Sequence, residues 1–170
     1  VIPVVLQAEG VRNGNLQRND DFSKDARWYE GIPVIVLEEH YLGCPPASNK
    51  STKVGQIREV KANSDKRRIE AKAVLFNDRF NHDDLERIRA GEKFGGSIGF
   101  WAETEPTEPQ TWSDGRTYTA IEKNFFGDHF AITPKPACPL DKCGFNVNSK
   151  EPDNMTEVTP KVDPAVTPAE

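Results

Sequence analysis

Apolar and polar residues alternate along most of this chain, and many of the apolar positions carry β-branched side chains. A period of two residues is typical of strands that bury one face. Residues 63–66, Asn-Ser-Asp-Lys, are types that favour a tight turn, so the strands on either side of them are expected to form a hairpin. The alternation predicts seven strands: Ile2–Ala8, Ile32–Glu39, Lys53–Ala62, Arg67–Phe76, Ser97–Glu103, Arg116–Phe125 and Asp128–Thr133.

One segment has the spacing of a helix instead. Two apolar residues share one face of a helix over Asp83–Ala90, and either Asn81 or Asp83 is in position to cap it. Gly91 suits the left-handed conformation that commonly ends a helix.

Three stretches, residues 10–29, 41–52 and 104–115, are rich in Asn, Asp, Pro, Gly and Ser and are expected to be long loops. Many short strands with one helix predict a mainly β fold, and more specifically an antiparallel β-barrel with flanking helices. This unit is expected to span residues 1–148.

Residues 151–170 contain four prolines, five acidic residues, one lysine and no aromatic residue. Residues 149–170 are therefore expected to form a flexible acidic tail or linker.

The charge balance and the apolar runs argue against two classes of partner. With 22 basic and 27 acidic residues the chain has a net charge of −5, which argues against binding nucleic acid through a basic surface. No apolar run approaches the ~18–20 residues of a membrane helix, and the first residues lack the basic start of a signal peptide. Because the chain does not begin with Met, residue 1 is expected to be a processing boundary.

The segment 95–99, Gly-Gly-Ser-Ile-Gly, matches the G-x-S-x-G pattern of the nucleophile elbow in α/β-hydrolases. That elbow needs a strand before the serine and a helix after it. Here the predicted helix comes before Ser97 and a predicted strand follows it, which argues against an elbow. The simplest alternative is a glycine-rich loop whose serine has no chemical role.

The chain has three histidines, and two of them, His40 and His129, lie at the end of or within predicted strands that could bring them to Ser97. A serine hydroxyl is a weak nucleophile until an imidazole takes its proton, and that imidazole needs a third group to orient it. His40 closes an apolar strand, and either Asp128 or His129 in a later strand could be the third group. Alternation places Asp128 and His129 on opposite faces, so only one of them is expected to face the site. His82 is expected to be an exposed residue at the start of the helix.

The three cysteines, an odd number, argue against a disulfide-framed secreted domain and indicate a reducing cytosol. Cys138 and Cys143 could bind zinc together with Cys44, but a single C-x4-C spacing is not the paired pattern of strong zinc sites. We therefore expect no metal and favour free thiols, with a local disulfide between Cys138 and Cys143 as the alternative.

The order of these segments carries a resemblance to a known family. His40 after an apolar strand is followed by a hairpin, a helix, Gly-Gly-Ser-Ile-Gly-Phe at 95–100, a strand at 128–133 and then Pro-Ala-Cys-Pro. This arrangement resembles the prohead, or capsid maturation, serine proteases of tailed bacteriophages, which are similar to the herpesvirus assemblins in fold and chemistry. The likeness covers roughly residues 1–145 and includes Gly-Val-Arg-Asn-Gly-Asn at 10–15.

The resemblance implies an assemblin-like barrel in which Ser97 is the nucleophile and His40 the base. The third residue varies within the family, so Asp128 is favoured and His129 stays open. The family's substrates imply cleavage of the scaffold, the major capsid protein and the chain itself, inside the prohead in the host cytoplasm. A homo-oligomer within the prohead is possible, and no cofactor, nucleic acid or membrane is implied. The alternative is a catalytically inactive scaffold or structural capsid protein that keeps the protease fold.

Overall fold

The computed structural model describes residues 1–37 and 53–148, and strands make up more than half of them. The helical segments of these residues are α1 (Asn19–Phe22), a 3₁₀ helix (Ser23–Tyr29) and α2 (His82–Arg89). The strands are β1 (Ile2–Ala8), β2 (Gly10–Arg12), β3 (Asn15–Gln17), β4 (Pro33–Val36), β5 (Lys53–Asn63), β6 (Arg68–Leu75), β7 (Gly96–Thr111), β8 (Thr117–Ile132) and β9 (Gly144–Phe145). The prediction of a mainly β fold is confirmed.

All of these strands belong to one sheet that curls into a half-barrel. The strand order is β2-β3-β8-β4-β5-β6-β1-β9, and β7 pairs along the length of β8. Because β7 occupies one edge of β8, both β3 and β4 pair with its other edge, and both run parallel to it. The expectation of a strictly antiparallel sheet is therefore wrong.

The parallel pairs arise from the segment 10–29, which was expected to be a loop. It contains the short hairpin of β2 and β3, then α1 and the 3₁₀ helix. This crossover returns the chain in its original direction, so β4 joins β8 parallel to β3. Asn, Asp and Gly in this segment serve turns and helix starts instead of a long loop.

Several local predictions are confirmed. β5 and β6 form the expected antiparallel hairpin, and the amide of Lys66 donates to Asn63 Oδ1 at 3.0 Å within its turn. Helix α2 is capped by Asn81, whose Oδ1 accepts from the Asp84 amide at 3.0 Å. Gly91 follows the helix with φ of +93°, in the left-handed region.

The strands β7 and β8 are longer than predicted. Residues 104–111 continue β7 despite two prolines and two glutamates. The two strands predicted over Arg116–Phe125 and Asp128–Thr133 are one continuous strand, β8. The backbone N–H and C=O groups of β7 and β8 hydrogen-bond to each other, and this pairing outweighs the loop-like composition of residues 104–111. Prolines are tolerated because β7 lies at an edge, and Pro106 pairs with Ala120.

Some predictions fall outside the described residues. The described part of the strand predicted over Ile32–Glu39 is β4, and the remainder, with His40 and the loop predicted over 41–52, is not described. The same holds for the tail, residues 149–170, so the predicted domain boundary stays a prediction. In the described chain no helix is both long and apolar enough to cross a bilayer.

The main core lies between the inner face of the curled sheet and the helical segments. Phe130 of β8 is fully buried there, and its ring packs edge-on against Phe145 with centroids 6.0 Å apart. The neighbour of Phe130 along the strand, Ala131, belongs to a separate small cluster with Ile35. Because Ser97 pairs with Ala131, the core position of Phe130 directs Ser97 to the opposite face of the sheet.

Candidate functional site

Ser97 is the second residue of β7 and lies directly opposite Ala131 of β8. Its side chain is largely buried, with the residue 5% exposed. Helix α2 precedes it and β7 continues after it, so the strand-turn-helix order of a nucleophile elbow does not occur here, as predicted. The serine is instead held by an extended strand.

The two glycines before Ser97 are explained by close packing. A side chain at Gly95 would collide with the carbonyl oxygen of Thr133. A Cβ at Gly96 would lie 2.9 Å from Cε2 of Phe130, inside the ring's contact distance. The Gly-Gly pair therefore lets β7 lie close against the end of β8 and the core.

His129 lies opposite Gly99, on the same face of the two strands as Ser97. A Cβ at Gly99 would lie 2.6 Å from Nε2 and 2.7 Å from Nδ1 of His129, so the imidazole covers this glycine. Ser97 and His129 are diagonal neighbours across the strand pair, a separation that long side chains can bridge. The ring is almost completely buried, since the residue is 2% exposed.

Asp128 contacts the same imidazole. Its Oδ2 lies 2.6 Å from Nδ1 of His129, within hydrogen-bond distance. A carboxylate only accepts hydrogen bonds, so this contact places the proton of a neutral imidazole on Nδ1 and leaves Nε2 as the basic nitrogen. The pair is a carboxylate-oriented histidine of the kind that serine hydrolases use.

The expectation that only one of Asp128 and His129 faces the site is wrong. Gly99 pairs with His129 and the next residue, Phe100, pairs with Gly127, so Asp128 is the extra residue of a β-bulge. A bulge breaks the alternation of side chains and can turn two successive residues toward one region. Both residues therefore line the same cavity as Ser97.

This cavity has a volume of about 500 Å³ and follows β7 away from Ser97. It lies between β7 and the β1–β3 region, where the described strands β1 and β7 face each other without pairing. Six consecutive residues of β7, Ser97–Ala102, line it, so the backbone edge of the strand borders the cavity. Residues of β1 to β3, of β8 and of the segment after β8 complete most of its wall, among them Leu6, Gln7, Arg12, Asn15, Gln17, Glu122, Cys138 and Cys143.

Glu122 is a buried acid that sequence reasoning missed. Burial raises the pKa of its carboxyl group, and the hydrogen bond from Asn15 Nδ2 to Oε1, 2.9 Å, partly offsets this rise. The Gln17 side chain opposes the rise as well, although its amide makes no well-formed hydrogen bond to Oε2. A single acid within a strand gives no sequence signal of burial.

Gln17 also belongs to a buried polar chain that leads away from the cavity. The hydroxyl of Tyr29 donates to Gln7 Oε1 at 2.8 Å, and Gln7 Nε2 donates to Gln17 Oε1 at 3.0 Å. Each of these side chains is satisfied by the next, which is how buried amides are stabilised in a core. The chain gives this end of the cavity a rigid polar wall.

Cys138 and Cys143 form a disulfide, with their Cα atoms 5.7 Å apart, so the preference for free thiols is wrong for this pair. A tight turn between them brings the two sulfurs together, because the amides of Lys142 and Cys143 both donate to the carbonyl of Pro139, at 2.9 and 3.0 Å. The spacing alone left both states open. Cys44 lies outside the described residues, and within them no cluster of three or more potential metal ligands occurs.

The other two histidines of the chain are His40 and His82, and only His82 lies among the described residues. His82 begins α2 and is exposed, as predicted. His40 is not described, so its assignment as the base stays a prediction.

Comparisons of the chain with protein-family models, with curated proteins and with solved structures gave no match.

Proposed function

We propose that this chain is a serine endopeptidase that acts in capsid maturation, with the scaffold, the major capsid protein and itself as substrates. The observation that carries the peptidase assignment is that Ser97 shares one cavity with His129, whose Nδ1 contacts Asp128 at 2.6 Å. The resemblance of the sequence to prohead proteases supplies the substrate class.

In the proposed mechanism an imidazole takes the proton of the Ser97 hydroxyl while Oγ attacks the scissile carbonyl carbon. The imidazolium then protonates the departing amine, and water repeats the sequence on the acyl-enzyme. Two assignments of the base are compatible with the residues. His40 is the base implied by the resemblance, with the Asp128–His129 pair supporting it, whereas the observed pair could itself supply base and orienting acid.

The shape of the cavity supports an extended peptide as the substrate. Because Ser97–Ala102 border it with consecutive residues, a substrate strand could hydrogen-bond along the edge of β7 and present its carbonyl to Ser97. Ile98 and Phe100 are partly buried beside this edge and would contact the apolar side chains of such a strand.

The test is processing of capsid precursor in co-assembled particles, combined with labelling by a serine-directed fluorophosphonate. We expect Ser97→Ala to abolish both, while Ser113→Ala, at an exposed turn serine, retains both. Processing at near wild-type rate by the Ser97→Ala protein would overturn the proposal. Intact assembly with neither labelling nor processing by the wild-type chain would favour the inactive scaffold instead.

Separate substitutions of the two histidines distinguish the two bases. If His40 is the base, His40→Ala should abolish labelling and His129→Ala should reduce it. If the observed pair supplies the base, the order reverses. Retention of labelling by both variants would contradict a histidine-activated Ser97.

A further inference from the structure

Arg12 is a buried cation on the wall of the cavity. It is 5% exposed, and its guanidinium folds back over Gly10, where a Cβ would lie 2.8 Å from one terminal nitrogen. It donates to the carbonyl of Val11 at 2.8 Å and to Sγ of Cys138 at 3.3 Å. Among the described residues no carboxylate lies within 4.0 Å of it, so its near partners are a neutral oxygen and a disulfide sulfur.

The surroundings disfavour the charged guanidinium. Burial lowers the pKa of Arg12, and the nearby cation Arg116 lowers it further. The more distant acids Asp114 and Asp141 oppose this effect without removing it. A buried charge is stabilised by a close counter-ion, and the described residues of the oxidised protein provide none for Arg12.

We propose that Cys138–Cys143 is a redox-active disulfide that exchanges with small thiols, and that its reduction places a Cys138 thiolate beside Arg12. The proposal rests on the contact between Arg12 and Cys138 and does not depend on the proposed peptidase activity. Both cysteines are buried, Cys138 at 8% and Cys143 at 1% exposed, but both line the cavity, which is the route by which a small thiol reaches them.

The exchange is balanced as follows. Two molecules of a thiol such as glutathione are oxidised to their disulfide, and the two electrons they lose break the Cys138–Cys143 bond. Of the two protons they release, Cys143 takes one as a neutral thiol. Cys138 stays a thiolate, and the second proton goes to solvent.

The guanidinium selects Cys138 over Cys143 as the thiolate, because it contacts the Cys138 sulfur. An adjacent arginine lowers the pKa of a thiol below the ordinary value of about 8.5. A stabilised thiolate also stabilises the reduced form, so the disulfide becomes easier to reduce. Among the described residues, Arg116, Asp114 and Asp141 are the charged groups that shift the pKa of Arg12. The turn between the cysteines carries Asp141, which acts against the thiolate, and Lys142, which favours it.

The experiment uses the full chain carrying Cys44→Ser, so that only this pair reacts. After reduction, the rate of Cys138 alkylation by iodoacetamide is followed against pH by mass spectrometry, and the disulfide is equilibrated with glutathione buffers. We expect an alkylation pKa at least about one unit below that of an ordinary cysteine, which is about a tenfold gain in thiolate at pH values below both pKa values.

Arg12→Met should return that pKa to the ordinary value and make the disulfide harder to reduce, by up to about tenfold in glutathione buffers held at a pH above both pKa values. Arg12→Lys, which keeps a positive charge, should recover part of both effects. Arg116→Met is the matched control, because Arg116 donates to the same Val11 carbonyl at 3.1 Å but has no sulfur contact, and its shift should be much smaller.

An ordinary or raised pKa for Cys138 in the otherwise unaltered chain would overturn the proposal, and this measurement needs no arginine variant to fold. Equal shifts of the Cys138 pKa in Arg12→Met and Arg116→Met would overturn it as well. They would show that the pKa depends on the number of nearby positive charges and not on the contact between Arg12 and the Cys138 sulfur. Neither result bears on Ser97, whose labelling is measured separately.

Discussion

The close contact between Gly99 and His129 can be tested through the free energy of unfolding. In Gly99→Ala the new methyl group would lie 2.6 Å from Nε2 of His129, so the buried imidazole must move. Overpacking a buried site costs about 1–3 kcal/mol. The displaced ring would also lose its 2.6 Å contact with Asp128. For a domain of this size that cost corresponds to a fall of roughly 2–12 °C in the unfolding midpoint.

A double-mutant cycle isolates this contact. The free energy of unfolding is measured by urea denaturation for the wild type, Gly99→Ala, His129→Ala and the double variant. Because alanine at 129 leaves room for the methyl group, we expect Gly99→Ala to cost almost nothing in that background. The coupling free energy between the two positions should therefore be about 1–3 kcal/mol.

The same variants separate stability from chemistry. If the imidazole acts on Ser97, Gly99→Ala should lower fluorophosphonate labelling by about 100-fold or more, even at temperatures where the variant is fully folded. An equal stability cost of Gly99→Ala in both backgrounds would refute the contact itself. Full stability coupling with unchanged labelling would leave the contact in place and contradict a role of this ring in activation.

Three further predictions follow from the site and the tail. Asp128→Asn should reduce precursor processing far more than His129→Gln if the acid is the third catalytic residue, and the reverse ranking would favour His129, either as the base or as the third member of a Ser–His–His site. Burial raises the folded-state pKa of Glu122, so the free energy of unfolding should fall as pH rises from the ordinary carboxyl range through that raised value. In unfolding measured against pH, Glu122→Gln should flatten this fall, whereas Glu103→Gln, at an exposed position, should not. Truncation after Ser149 should keep the thermal midpoint while lowering packaging into proheads, whereas unfolding of the truncated chain would show that the tail is part of the fold.

Predictions from sequence succeeded where the signal is local. The β5–β6 hairpin is specified by turn residues between two alternating segments, and α2 by its cap and the glycine after it. The parallel pairing of β3 and β4 with β8 was missed because it depends on which edge of a distant strand is available. No local pattern carries that information.

The candidate site shows the same division. Ser97 is singled out by the order of the segments around it, and its role stays a prediction. The joint placement of Asp128 and His129 depends on a bulge that strict alternation excludes. The burial of Arg12 and Glu122 could not be predicted either. Each is a charged residue in a strand, and it is buried by neighbours that lie far along the chain. Sequence periodicity predicts one exposed and one buried face, and it fails at positions where a cavity opens within the sheet.

The glycines of the Gly-Gly-Ser-Ile-Gly segment offer a way to separate an enzyme from a scaffold with the same fold. Gly95 and Gly96 make room for Thr133 and Phe130, which are parts of the fold, so the packing of this chain requires them whether or not it is an enzyme. Gly99 makes room for the imidazole of His129 and for nothing else among its nearest atoms. A scaffold that had lost its chemistry could replace His129, and position 99 would then accept a side chain without strain. Packing of the core does not require the combination of Gly99 and His129, so its presence in this chain favours an enzyme over an inactive scaffold.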